Sequence, residues 1–272
     1  MFIQECVPAF DLKFLRAILG EDYAIEARII CPTQLGLGMN RKRQWSIGAL
    51  RECIRMDHPF DGQLFGKIFH RVAGLTAEDY FVAPVEERLR ALQDVAARRR
   101  NQAGLNQALL TAASHSSSSD ASTLSLKEVL SPGSVCRLEG YQRLANRSPK
   151  FKSEPVLAAN IAQNPDCRPW LGSTIKTLLR NSDVVLLRSS RLRCGESCGN
   201  GANPMLMTAD EHLNCMGWPM YDTDCINLMK DCAPSLDPEF KRQLAGNAQH
   251  VAVAGAVLLW ALAATCIHDS VE

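Results

Sequence analysis

The chain has 272 residues, of which 46% are hydrophobic and 22% charged, so it can bury a real core and is not globally disordered. Thirty basic side chains stand against twenty-nine acidic ones, a net charge of +1, which excludes a strongly basic nucleic-acid coat but not local basic patches. The eleven cysteines are odd in number and scattered, and no basic segment followed by a long apolar run opens the chain. Free thiols in a reducing compartment, nucleus or cytoplasm, are therefore expected.

In chain order, Phe2–Val7 reads as a short buried strand ended by Pro8. Asp11 is placed to cap a helix over Leu12–Leu19, with Gly20 as its stop. Tyr23, Ile25, Ala27 and Ile29 alternate with polar neighbours at strand period. A loop over Cys31–Asn40 carries Pro32, Gly36 and Gly38, and a further strand has Trp45, Ile47 and Ala49 on one face. Strand, helix, strand, loop, strand predicts an α/β sheet. Val85, Leu89, Leu92 and Ala96 recur at helical spacing over about 84–113, and 114–125 holds seven serines in twelve positions, a linker or insert.

Two basic concentrations follow, Arg137, Arg143, Arg147, Lys150 and Lys152, then Lys176, Arg180, Arg188, Arg191 and Arg193. Each is either a solvated surface or a phosphate-contacting face. Thr208 and Glu211 form a capping box that starts a helix, which Gly217 stops. Gly246-Asn247 precede an apolar helix from Ala248 to about Cys266. Its seventeen uncharged residues, Val251–Ile267, reach the lower limit for a membrane span, but a buried core helix is the expectation, with no membrane partner. Cys194, Cys198, His212 and Cys215 can be written as a zinc set, although the spacing is irregular and the capping box already accounts for the last two. No metal is expected.

Several of these residues carry a resemblance. Phe2-Ile3-Gln4-Glu5-Cys6-Val7-Pro8, then Asn40-Arg41-Lys42-Arg43 before Trp45-Ser46-Ile47, then Thr208-Ala209-Asp210-Glu211 before Gly217-Trp218-Pro219, and finally Gly246-Asn247-Ala248 resemble, in order, four motifs of the DNA (cytosine-5)-methyltransferases. The family's glycine-rich loop for S-adenosylmethionine and its proline-cysteine nucleophile motif are not found, since none of the thirteen prolines precedes a cysteine. The sequence therefore resembles the C-terminal half of such an enzyme.

The resemblance implies a partial doubly wound α/β methyltransferase sheet. Residues 1–56 would be its later strands, 57–200 a mostly irregular target-recognition region, and 201–272 return helices packing on the sheet. Glu5 would face N3 of a flipped cytosine and Arg43 its O2, with Arg41 supporting or touching phosphate. Asn247 and Ala248 would line the pocket for S-adenosylmethionine, a cofactor expected only if an N-terminal half is supplied, fused or as a separate polypeptide. Arg180 and Lys176 would contact DNA, beside two turns, 160–165 and 177–182, that resemble the family's recognition region. Departures from the family pattern are Cys6 for an asparagine, Met39 for a glutamine, and the lack of an arginine shortly before Thr208. The expectation is a methyltransferase-like protein inactive alone; a non-catalytic DNA-binding remnant and a soluble scaffold are the alternatives.

Overall fold

The computed structural model describes residues 1–72, 74–103, 126–167, 169–190, 204–222 and 232–267. The Ser-rich insert 114–125, Arg191, Arg193, Cys194 and Cys198 lie outside them.

The chain opens on β1 (Phe2–Cys6), α1 (Leu12–Leu19) and β2 (Tyr23–Ile30). Asp11 caps α1 by accepting from the Lys13 N–H at 2.9 Å, and Gly20 ends it with ordinary right-handed dihedrals. After a 3-10 turn at Pro32–Gln34 come β3 (Met39–Asn40), β4 (Arg43–Leu50) and β5 (Ile54–Met56). The first sheet has the order β1-β4-β2, with β4 antiparallel to both neighbours. β1 and β2 are thus parallel to each other, joined by α1, but β4 sits between them.

The described residues form a mixed α/β arrangement of several small sheets, and a doubly wound sheet is not found among them. The 31–42 excursion turns the chain back, so β4 returns antiparallel into the gap between β1 and β2 and closes it. The buried strand expected over Phe2–Val7 ends at Cys6 and is half-buried, because β1 is an edge paired on one side only among the described residues.

Next come α2 (Gln63–Phe69), α3 (Val85–Ala103) and α4 (Pro132–Arg147). A second sheet is built from β6 (Leu157–Asn160), β7 (Leu171–Gly172), β9 (Val184–Arg188) and β10 (Met205–Leu206), in the order β10-β9-β6-β7 and antiparallel throughout. Residues 57–200, expected to be mostly irregular, are therefore more regular than expected. Their strands hide in the sequence because both faces are buried, which removes the polar alternation. Ala158, Val184 and Leu186 enter one apolar cluster, while Leu157, Ala159 and Val185 enter another on the opposite face. Between β7 and β9, β8 (Ile175–Lys176) pairs in parallel with β3, tying this region to the 31–42 loop.

The return segment supplies α5 (Ala209–Cys215), α6 (Pro238–Asn247), α7 (Val251–Ala263) and β11 (Thr265–Ile267), which pairs with β5. Leu213, Cys215 and Ala245 of α5 and α6 pack on the second sheet, so among the described helices of the return segment only α7 covers the first. There Val253, Val257 and Trp260 meet Trp45, Ile47 and the α2 ring of Phe65. The helical stretch Pro238–Ala263 is long and apolar enough to cross a membrane by length and composition; 39% of its most apolar window is buried here.

One buried carboxylate joins three parts of the chain. Glu211, inside the predicted capping box, accepts from Arg88 at 2.6 Å, the Ala83 N–H at 2.8 Å and the Thr208 N–H at 2.8 Å. Removing one partner of a buried pair strands the other charge, which costs about 3–5 kcal/mol. Glu211→Ala should therefore lower unfolding stability by about 3 kcal/mol or more in urea titration, and a loss under 1 kcal/mol would show that the pair does not hold α3 to α5.

Candidate active site

Strand pairing brings the first two motifs together. Glu5 stands opposite Trp45 and Cys6 opposite Gln44, so Glu5 and Arg43 project from the same face at one end of the sheet. Arg43 Nε lies 2.9 Å from Glu5 Oε1. The N–H is poorly directed, and that oxygen makes no well-formed hydrogen bond among the described residues. Burial raises the Glu5 carboxyl above its ordinary pKa, opposed by the charges of Arg41 and Arg43. The carboxyl is therefore held closer to its neutral, proton-donating form than a surface glutamate would be.

Arg41 is 4% exposed, which rules it out as a surface phosphate contact here. Its guanidinium donates to the Gly246 carbonyl at 3.3 and 3.4 Å and to the Ala248 carbonyl at 3.0 Å. Burial, then repulsion by Arg43, lowers its pKa to about 10, while Glu5 opposes the shift. It remains charged at neutral pH. The 31–42 loop is thus fastened to the turn between α6 and α7.

That turn corrects another expectation. Gly246 and Asn247 end α6, and the apolar helix expected from Ala248 to about Cys266 runs only from Val251 to Ala263, with His250 as its N-cap. Asn247 is exposed and Ala248 half-buried. Gly246 has no room for a side chain, because an added Cβ would fall 2.9 Å from the Arg180 backbone nitrogen.

Arg180 follows the β8 segment, so the expected DNA contacts approach the same turn. Its side chain is exposed and pairs with Glu239 at 3.2 Å. Lys176 donates to the Pro169 carbonyl at 3.3 Å, and burial, then the nearby Lys150 charge, lowers its pKa. The two turns singled out beside them are bonded to each other. Asn160 Oδ1 accepts from the Ala162 and Asp183 N–H groups, and its Nδ2 donates to Ser182 Oγ at 3.2 Å.

His250 was visible only as a histidine at the edge of an apolar helix. It is 4% exposed, neither ring nitrogen makes a well-formed hydrogen bond, and it lies against Gly217 beside Arg41. Gly217 takes a φ of +86°, the left-handed conformation that a glycine adopts without strain, and the Val251 N–H bonds back to the Met216 carbonyl. His212 does not behave as a zinc ligand: its ring nitrogens face the Thr208 carbonyl at 2.7 Å and the Ser182 carbonyl at 3.2 Å. Cys215 is fully buried against Met207.

No family model matches the chain, and no curated protein matches it. A solved structure described as the Entamoeba histolytica methyltransferase EhMeth is similar over 96% of this chain, at 12% identity and a TM-score of 0.43. The chain spans 61% of that structure's length. A TM-score at this level does not establish a common fold.

Burial and then the Arg41 charge lower the His250 pKa from 6.5 to about 4. Between those values the unfolded chain binds a proton that the folded chain refuses, so stability falls as pH falls through this window. From pH 7 to pH 5 the contribution is about 2 kcal/mol. His250→Gln should flatten the urea midpoint over this range relative to the parent, and an unchanged pH dependence would mean that the imidazole is not held neutral.

Proposed function

We propose that this chain carries the base-holding part of a DNA (cytosine-5)-methyltransferase-like site, and that it needs a thiol and a methyl-donor pocket from outside the described residues. The observation that supports this is convergence. Glu5, Arg41 and Arg43, Lys176 and Arg180, and Gly246–Ala248 resemble separate motifs, and they meet around one turn.

Carbon 5 of cytosine is a poor nucleophile until a thiolate adds at C6, which pushes electron density toward C5, N3 and O2. The raised carboxyl of Glu5 would hold or donate a proton at N3. Arg43, already beside Glu5, would offer its planar, permanently charged fork to O2. Arg41 acts one layer behind, fixing the loop on which Arg43 stands. The base must leave the duplex to reach these groups, and Lys176 and Arg180 would steady the DNA backbone during that step. S-adenosylmethionine would supply the methyl group when bound. Asn247 and Ala248 can form at most one wall of its site, so the remaining walls have to come from elsewhere.

A second reading, a DNA-binding chain without catalysis, is favoured by Cys6, which replaces the family's asparagine next to Glu5 and points to the opposite sheet face. Two measurements separate the readings. With an N-terminal methyltransferase half added, duplex DNA should take up methyl from S-adenosylmethionine, and Glu5→Gln should cut the rate at least 100-fold. No incorporation with the parent chain would remove the enzyme reading. Duplex affinity should fall with salt, and Arg180→Ala should weaken it and reduce the slope of log K against log salt by about 0.9. Salt-independent or absent binding would remove both readings.

A further inference from the structure

None of the residues lining a cleft between α3, α5 and α6 belongs to the site described above. The cleft has a volume of about 170 Å³, and Glu87, Asp94 and Asp210 face Arg90, Lys241 and Arg242 around it. Lys241 and Arg242 are only 7% and 8% exposed, and a buried cation is costly unless its donors are met. Those of Arg242 are not. Its guanidinium makes no hydrogen bond among the described residues, and the Asp183 carboxylate stands 3.8 Å away, beyond hydrogen-bond distance. Asp210 Oδ1 is the complementary case. It is buried and makes no well-formed hydrogen bond among the described residues, although Lys241 Nζ lies 2.7 Å from it. Lys241 is the neighbour of Arg242 in α6 and the ion-pair partner of Asp210 in α5, which brings both groups to one junction. An unused donor fork and an unused acceptor therefore border the same space.

We infer that this cleft binds a free α-amino acid with an apolar side chain, its carboxylate on Arg242 and its ammonium group on Asp210.

The shape and charge of the cleft select that ligand. A carboxylate is the planar, two-oxygen acceptor that a guanidinium fork matches. Three carboxylates balance three cations around the cleft, so a bare anion meets repulsion as well as attraction, whereas a zwitterion answers both signs. Val95 of α3, Leu206 of β10 and Pro238 of α6 add an apolar wall, which suits a hydrocarbon side chain. Sites for drug-sized ligands span about 300–1,000 Å³, so this smaller space suits one amino acid and not a peptide or a nucleotide. Once bound, the ligand would tie α3 to the junction of α5 and α6.

The test is titration calorimetry on the full 272-residue chain at neutral pH, with L-leucine as probe. One-to-one binding with a Kd of about 1 mM or tighter is expected. Two analogues keep the leucine side chain and lose one charge each. Isocaproate lacks the ammonium group, and isopentylamine lacks the carboxylate. Each should bind at least tenfold more weakly, because a hydrogen bond to a charged group is lost. Arg242→Gln should weaken leucine at least tenfold as well, and if that variant does not fold, the analogues on the parent chain decide the question alone. The inference would be overturned by no binding of L-leucine, L-valine or L-methionine. Affinity for either analogue, or for inorganic phosphate, equal to that for leucine would overturn it too.

Discussion

A single buried guanidinium holds the site together. Arg41 reaches across 205 positions of sequence to the Gly246 carbonyl and across 207 to that of Ala248. Hydrogen bonds from a charged donor are worth about 1.5–3 kcal/mol each, and an unmet buried charge costs more than a neutral group. The same contact that offsets the desolvation of Arg41 therefore fixes the entry to α7, which packs on the first sheet. It also limits where the 31–42 loop can lie, and hence where Arg43 stands relative to Glu5.

Other features follow from that fastening. Gly246 must be a glycine because the Arg180 backbone passes against it, which draws the 177–182 turn beside the second sheet to the same corner. His250 caps α7 beside the Arg41 charge and is held neutral there. Glu5 sits near two cations, yet burial still raises its pKa. Each part is ordinary alone; together they make a charged corner at the end of a small sheet whose β1 edge pairs with no strand among the described residues.

Much of this was legible in the residues. Asp11, the Leu12–Leu19 helix, the Tyr23–Ile30 strand and the Thr208–Glu211 box depend on local hydrogen bonds and periodicity, and all appear at the expected positions. The Glu5–Arg43 approach was legible through resemblance, since both motifs mark strand ends. The second sheet was not, because residues such as Val184, Val185 and Leu186 are buried on both faces and show no alternation. Nor was the antiparallel return of β4, which depends on the course of a loop rather than on any residue pattern. Arg41's carbonyl partners lay beyond reach for the same reason: backbone acceptors have no identity in a sequence. His250 carried one faint signal, a polar residue at the head of an otherwise apolar run.

The most direct measurement of the central constraint is amide hydrogen exchange on the parent chain and on Arg41→Leu, read residue by residue. If Arg41 fastens the loop to the turn before α7, the variant should lose protection at 244–254 and 31–43, while β6 and β9 keep theirs. Unchanged protection at 244–254 would contradict the account, because α7 would then be positioned without the guanidinium.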